Sequence, residues 1–352
     1  MLLNFGMFNF MYKNDLKIRS LCILFICFLT KSIIHAQDIH FSQFENAPLY
    51  VNPALNGLYN GQLRLVSNYR NQWFSVPVPY MTFSSSLDAK ILPEKIKNNV
   101  LSLGALFHYD VAGDTRLSLT HILLNLSYHQ QLFKGFFMGA GVQFGYGQRR
   151  FRRDLMTFDD QFNGDVYNPG ILSADIANLS VAQLSFLDVG SGINLRYQKS
   201  ARSWLNAGLA MVHMNSPKQS FMGQDIRLKT RISVNFNASL QVSGKWDILP
   251  GFLYQSQHVY REILFSFFTR YHLNRNLGRE TAIYYGTAFR WNDAIIPTIG
   301  LNYQGWQFAL SYDVNISPFN AATNGQGGIE FSLIHIWRTV PGLPKIKSCP
   351  IF

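Results

Sequence analysis

Beyond its first 36 residues the 352-residue chain has no apolar run approaching the roughly 20 residues a spanning helix needs, which excludes a helical membrane protein. Cysteine is scarce. Cys22 and Cys27 lie in the leader described below, and Cys349 alone cannot close an intramolecular disulfide. An exported product must then be held by a core or a closed sheet rather than by cross-links. Charge is scarce too: Asp, Glu, Lys and Arg make up 14% of the chain, against about a quarter in an average soluble domain. Mean hydropathy is nevertheless neutral. A barrel wall produces that balance by alternating lipid-facing and lumen-facing side chains.

Signatures of chemistry are also missing. The sequence holds no H-E-x-x-H, Cys/His cluster, P-loop or dinucleotide glycine pattern, and no G-x-S-x-G elbow. His108 and His121 stand near serines, as a triad on a barrel wall would require, but in strands they read as lumen or girdle residues. No enzyme activity, metal or cofactor is expected, and nucleic acid is not an expected partner outside the cytoplasm.

What is present begins with an export signal over 1–36. Lys13, Lys17 and Arg19 precede the apolar run Leu21–Leu29, and Ala36 offers a small residue for cleavage before Gln37. Its positive region is unusually long, and Met11 is an alternative start. Formal net charge is +11 for the chain and about +8 without the leader. Such a surface attracts phosphate or an acidic partner, or is simply solvated.

The strongest positive signal is period two. From Phe136 to Tyr146 the chain reads F-F-M-G-A-G-V-Q-F-G-Y, so Met138, Ala140, Val142, Phe144 and Tyr146 oppose Gly139, Gly141, Gln143 and Gly145. Comparable alternation predicts strands at 62–69, 80–89, 99–109, 115–128, 135–147, 184–197, 202–213, 226–241, 246–255, 260–272, 281–290, 294–303, 306–315 and 327–336. The expected fold is all-β: a transmembrane antiparallel outer-membrane β-barrel of about 14 strands over 62–337, with 12 or 16 open if one hairpin is misread. Periodicity alone does not separate it from a soluble sandwich. Aromatics near strand ends, among them Tyr128, Tyr197, Tyr303 and Trp337, favour girdles at two lipid interfaces. The polar set is rich in Gly, Ser and Asn with few charges. Its glycines, Gly139, Gly141, Gly145 and Gly147, make room for a plug or for tight interior packing.

Three regions lie outside the strands. Residues 37–61 are expected as a periplasmic N-terminal segment, compact and open to being tucked into the barrel mouth. Gln148–Gln183 mixes arginines with aspartates, as a folded cap, a partner surface or a solvated loop, and faces the exterior if the first strand rises from the periplasm. Residues 338–352, with three prolines, are expected as a periplasmic tail.

Several stretches stand out as motifs. They are Q-D-I-H-F-S-Q-F-E-N-A-P-L-Y-V-N-P-A-L-N-G from Gln37 to Gly57, with Asn52 and Pro53, and Y-R-N-Q-W, which is Tyr69, Arg70, Asn71, Gln72 and Trp73. The others are Gly208 to Phe221 with its N-x-P-K of Asn215, Pro217 and Lys218, Y-D-V-N-I-S from Tyr312 to Ser317, and Asn324, Gly325, Gln326, Gly327 and Gly328 followed by Ile329 and Glu330. C-P-I-F ends the chain, and together these stretches resemble the PorP/SprF family of type IX secretion and gliding proteins of Bacteroidota. Read physically, Asn52-Pro53 and Asn56-Gly57 are turn formers, Arg70, Gln72 and Trp73 anchor a strand end, and the 324–328 run shapes the turn into a last strand that closes on the first. A structural role and direct partner contact are both open for these residues.

What the resemblance implies is a non-enzymatic outer-membrane component of the type IX machinery, embedded in outer-membrane lipid. It implies support for export or surface attachment of adhesins and enzymes with C-terminal sorting domains, and contact with periplasmic peptidoglycan-binding and lipoprotein subunits. The alternative is a general diffusion porin or small-solute channel.

Overall fold

A computed structural model describes residues 38–338 apart from 73–79, 92–98, 169, 172, 176–180, 222, 277–278 and 318–325. The export signal, Trp73, Asn324, Gly325 and all of the tail beyond Arg338 lie outside the described residues. Fourteen strands form the wall: β1 Leu63–Gln72, β2 Tyr80–Lys90, β3 Asn99–Ala112, β4 Leu117–Phe133, β5 Phe136–Arg150, β6 Gln183–Gln198 and β7 Trp204–Val212. After them come β8 Arg231–Gln241, β9 Trp246–Gln257, β10 Tyr260–Asn274, β11 Thr281–Arg290, β12 Ala294–Tyr303, β13 Trp306–Asn315 and β14 Gln326–Trp337. Each pairs antiparallel with its sequence neighbours, and β1 pairs with β14, so the sheet has no free edge.

The alternation sorts as expected and inverts the usual rule of burial. In β4, Ile122, Leu124, Leu126 and Tyr128 point outward and are 43–57% exposed, while Leu123, Asn125, Ser127 and His129 point inward and are buried. Across β5, Met138, Val142, Phe144 and Tyr146 face out, and Gly139, Gly141 and Gln143 face in. Apolar surface on this scale around a whole sheet requires lipid against it. The outward aromatics Tyr128, Tyr197, Tyr303 and Trp337 sit near strand ends, where the girdles were expected.

Several strand ends differ from expectation: β1 runs on to Gln72, β3 to Ala112 and β4 to Phe133. β5 runs on to Arg150, so Arg149 and Arg150 belong to the wall. β8 begins only at Arg231, because 226–230 pairs within its own loop: Lys218 bridges Arg227, and Leu228 N donates to Pro217 O.

The two barrel ends are unlike. At one, where β1 begins and β14 finishes, connections are short. Gln304 and Gly305 both take positive φ (49° and 87°), the requirement of a type I′ hairpin. At the other lie 151–182 and 213–230, which fold on one another: Phe151 meets Phe221 edge-on at 4.9 Å, and Val181 N donates to Phe221 O. Within 151–182, Arg153–Leu155 and Asp159–Gln161 form 3-10 turns and Phe162 bridges Tyr167, so the described part from Arg153 to Tyr167 is folded.

Ile39–Leu58 lies in the lumen rather than below the mouth. Its 3-10 turn Phe44–Asn46, helical turn Pro48–Val51 and second 3-10 turn Pro53–Leu55 carry Phe41, Phe44, Leu49, Tyr50, Val51 and Leu55 into a core with Leu106, Leu123, Leu253, Leu264, Phe268 and Ile296 of the wall. The barrel is plugged by its own N-terminal segment.

Candidate functional site

The plug runs the height of the barrel. His40 lies at the loop end, its carbonyl accepting from Arg70 Nη1 at 2.6 Å and its ring 3.3 Å from Gln72 Nε2. Gly57 lies at the turn end, its N–H donating to Asp88 at 2.9 Å. Two different attachments hold it in between.

The upper one is a buried polar latch. Ser42 N and Gln43 N donate to the two oxygens of Glu330 at 2.7 and 2.9 Å, and Ser42 Oγ donates to Asp313 at 2.7 Å. Arg70 Nη2 donates to Asp313 at 2.9 Å, and Arg290 reaches Asp313 at 3.1 Å, Ser42 Oγ at 2.6 Å and Glu262 at 3.0 Å. Side chains of Arg70, Asp313 and Glu330 are at most 3% exposed. Charges this deep persist only when paired and hydrogen-bonded. Just below, Asn46 is held from three strands: Asn68 of β1 donates to its carbonyl, Gln307 of β13 to its Oδ1, and its Nδ2 donates to Ser332 of β14. Beside it, Ser266 donates to Glu45. Glu45 keeps some accessible surface, but burial by the wall is enough to push its carboxyl up to about 7.

The lower attachment is a seat for N-P-A-L-N-G. Asn52 caps Ala54 N at 2.8 Å and donates to Ile193 O at 3.1 Å and Asn235 Oδ1 at 3.2 Å. Asn56 donates to Ser102 O at 3.1 Å, while Ser127 donates to Asn56 O at 3.0 Å. Bare wall admits these groups. A Cβ on Gly141 would stand 2.5 Å from the Pro53 carbonyl, and one on Gly192 would stand 2.1 Å from Asn52 Oδ1. Arg64 grips Asp88 through two bonds of 2.9 Å and donates to Leu55 O at 3.2 Å.

The structure therefore unites most of the stretches singled out in the sequence. Arg70 and Gln72 face the plug, whereas Tyr69 points outward. Across the closing seam Tyr69 pairs with Phe331, Arg70 with Glu330, Asn71 with Ile329 and Gln72 with Gly328. Gly327 and Gly328 give passage there: a Cβ on Gly328 would meet Asn71 O at 2.7 Å, and one on Gly327 would meet Asp313 O at 2.4 Å. Gln326 opens β14 opposite Val314. Asn215, Pro217 and Lys218 stand apart. Asn215 clips the loop end of β6 by accepting from Val189 N and donating to Leu187 O, Pro217 supports Leu228, and Lys218 is exposed.

Sequence reading missed Ser42, Gln43, Arg290, Asp313 and Glu330 as site residues, and the expectation of few inward charges is corrected. Arg64, Arg70, Asp88, Asp313 and Glu330 are all buried and inward. The signal was available as charge in phase with the polar set of each strand. The suspected histidines are accounted for by packing: His108 meets the Tyr50 ring edge-on at 5.7 Å, and His121 lies 3.4 Å from buried Asp188, which His213 approaches at 2.9 Å.

A closed antiparallel wall with an apolar exterior and a lumen filled by both apolar and polar groups defines a membrane β-barrel of the outer-membrane kind. The chain belongs to the type IX secretion system membrane protein PorP/SprF family, matching it over residues 33–333. The toluene transporter TbuX of Ralstonia pickettii superimposes with a TM-score of 0.50 at 11% identity, covering 83% of this chain and 94% of its own. For the Pseudomonas putida toluene transporter TodX the TM-score is 0.49 at 13% identity, covering 82% and 92%. These likenesses are of fold alone. No curated protein matches the sequence.

Proposed function

We propose that the protein is a non-enzymatic, plugged barrel of the type IX secretion and gliding machinery, serving as a fixed outer-membrane station that supports export or surface attachment of proteins with C-terminal sorting domains. In this reading the turn end, where β1 begins and β14 finishes, faces the periplasm and its peptidoglycan-binding and lipoprotein subunits, and 62–337 is the membrane unit. The loop end, with 151–182 and 213–230, faces the exterior and the cargo. Export follows cleavage near Ala36, and 338–352 remains on the periplasmic side.

The observation that carries this reading over a diffusion pore is the filled lumen, in which Ser42, Gln43, Asn46, Asn52 and Asn56 bond to wall groups on many strands. A porin needs an open path with a constriction. Family membership supplies the machinery. Affinity purification from detergent-solubilised envelopes is expected to recover other type IX components, and recovery of none overturns the proposal. In planar bilayers the intact protein is expected to be silent; large steady currents would establish the channel instead.

A further inference from the structure

The turn end carries a one-sided charge that neither the plug nor the wall uses. Lys134 stands on the β4–β5 turn, Lys199 on β6–β7, Lys245 on β8–β9, and Arg275 and Arg279 on β10–β11, all exposed. Strand order follows sequence order, so these four turns are successive around the rim. Among the described residues the one acidic side chain with accessible surface at this end is Glu280, and it is paired with Arg338 at 2.5 Å. Asp88 and Asp247 are fully buried. The loop end differs: there Asp154, Asp160 and Asp225 are interspersed with Arg152, Arg153 and Arg227, and several are paired.

Three of the cationic turns are fastened into one plate. Asp247 accepts from Arg202 at 2.5 Å and lies 2.7 Å from His272 Nε2. Arg202 and Arg275 both donate to Gly244 O, at 2.8 and 3.0 Å, and His272 N donates to Lys245 O. Lysines and arginines held on a preformed frame lose less freedom on binding. Like charges gathered this way repel one another, and an anionic surface brought against them relieves that repulsion.

We propose that this rim is a docking platform for the acidic face of a protein partner on the aqueous side of the turn end. It rests on the reading above that this end faces the secretion machinery. Phospholipid headgroups are the other source of negative charge, and the placement of the cations argues against them. Outward positions at the neighbouring girdle are neutral and aromatic, Tyr128, Tyr197, Trp246, Tyr303, Trp306 and Trp337, while the cations stand beyond them on the turns.

The test compares the full-length protein with K134E/K199E/K245E/R279E and with a loop-end control, R152E/R153E/K218E/R227E. The substituted side chains are exposed, and heat-modifiable migration in electrophoresis verifies that each barrel is folded. Fluorescence anisotropy with a labelled oligoglutamate peptide is expected to show binding that weakens with salt, falling at least tenfold in the turn-end variant and unchanged in the control. Equal binding by wild type and turn-end variant, or an equal loss in the control, overturns the platform. So does a turn-end variant that keeps the peptide and loses only its preference for phosphatidylglycerol vesicles. Envelope purification separates the two readings. If type IX components come down equally with wild type and the turn-end variant, the platform falls and the proposed function stands. If the peptide arm succeeds and wild type recovers none of those components, the reverse holds.

Discussion

The two ends of the plug are fastened by different balances of charge and fit. Near the loop end, Ser42 and Gln43 bind the buried carboxyl groups of Asp313 and Glu330, which lie beside Arg70 and Arg290. Toward the turn end one ion pair, Arg64 with Asp88, takes Leu55 O and Gly57 N, while Asn52, Pro53 and Asn56 meet backbone carbonyls and neutral side chains, and fit because Gly141 and Gly192 present no side chain. The first attachment depends chiefly on charge balance, the second chiefly on shape. A latch of paired charges fails when one member is removed, and a seat fails when an atom is added.

The largest effect is expected at the latch. Asp313→Ala leaves Arg70 and Arg290 facing one another in the lumen without their shared carboxylate, at a cost of about 3–5 kcal/mol. Thermal unfolding of the detergent-solubilised barrel should show it, together with protease access to Ile39–Leu58 and new conductance. Gly141→Val tests the seat. Its added atoms meet plug backbone, which has no rotamer with which to yield, so a penalty of about 1–3 kcal/mol or more is expected. Conductance should rise while barrel stability in electrophoresis changes little; an unchanged, silent protein would show that the glycine wall does not set the fit.

Smaller changes sharpen the contrast. Asn52→Ala removes the cap on Ala54 and the bonds to Ile193 and Asn235, for about 1–2 kcal/mol of plug affinity, measured as faster proteolysis of the segment. Glu45→Gln is expected to act least, and only with pH. Burial raises the Glu45 carboxyl to about 7, so its protonated form favours the seated plug. That contribution is complete in acid and is lost as pH rises through about 7, so the variant should outlast wild type at about pH 8 and match it at about pH 4. The same protease assay reads both; an identical pH profile would show that Glu45 does not titrate against the seat.

The wall was legible because lipid enforces a strict period. Ile232, Val234 and Phe236 opposing Arg231, Ser233 and Asn235 can be sorted into faces without coordinates, and the same alternation counts the strands. The plug was only half legible. Glycines in the inward set of β5 signalled space for something: Gly141 admits Pro53, while a Cβ on Gly139 or Gly147 would instead meet the rings of His129 and Phe186 from neighbouring strands. Nothing local links Ser42 to Glu330, because barrel closure alone brings them together. Arg70 could be chosen as notable, but its carboxyl partners lie 243 and 260 positions away, a distance over which period carries no information.

One feature of the path has a consequence for how the molecule is made. Ile39–Leu58 spans the lumen from the loop end down to the start of β1, and Glu330 of the last strand binds its opening residues 288 positions earlier. A cylinder sealed while empty would have to admit that strap lengthwise and make its buried bonds to the wall afterwards. Seating the first part of the chain before β14 joins β1 avoids that threading, and the expected order of assembly is strap first and seam last.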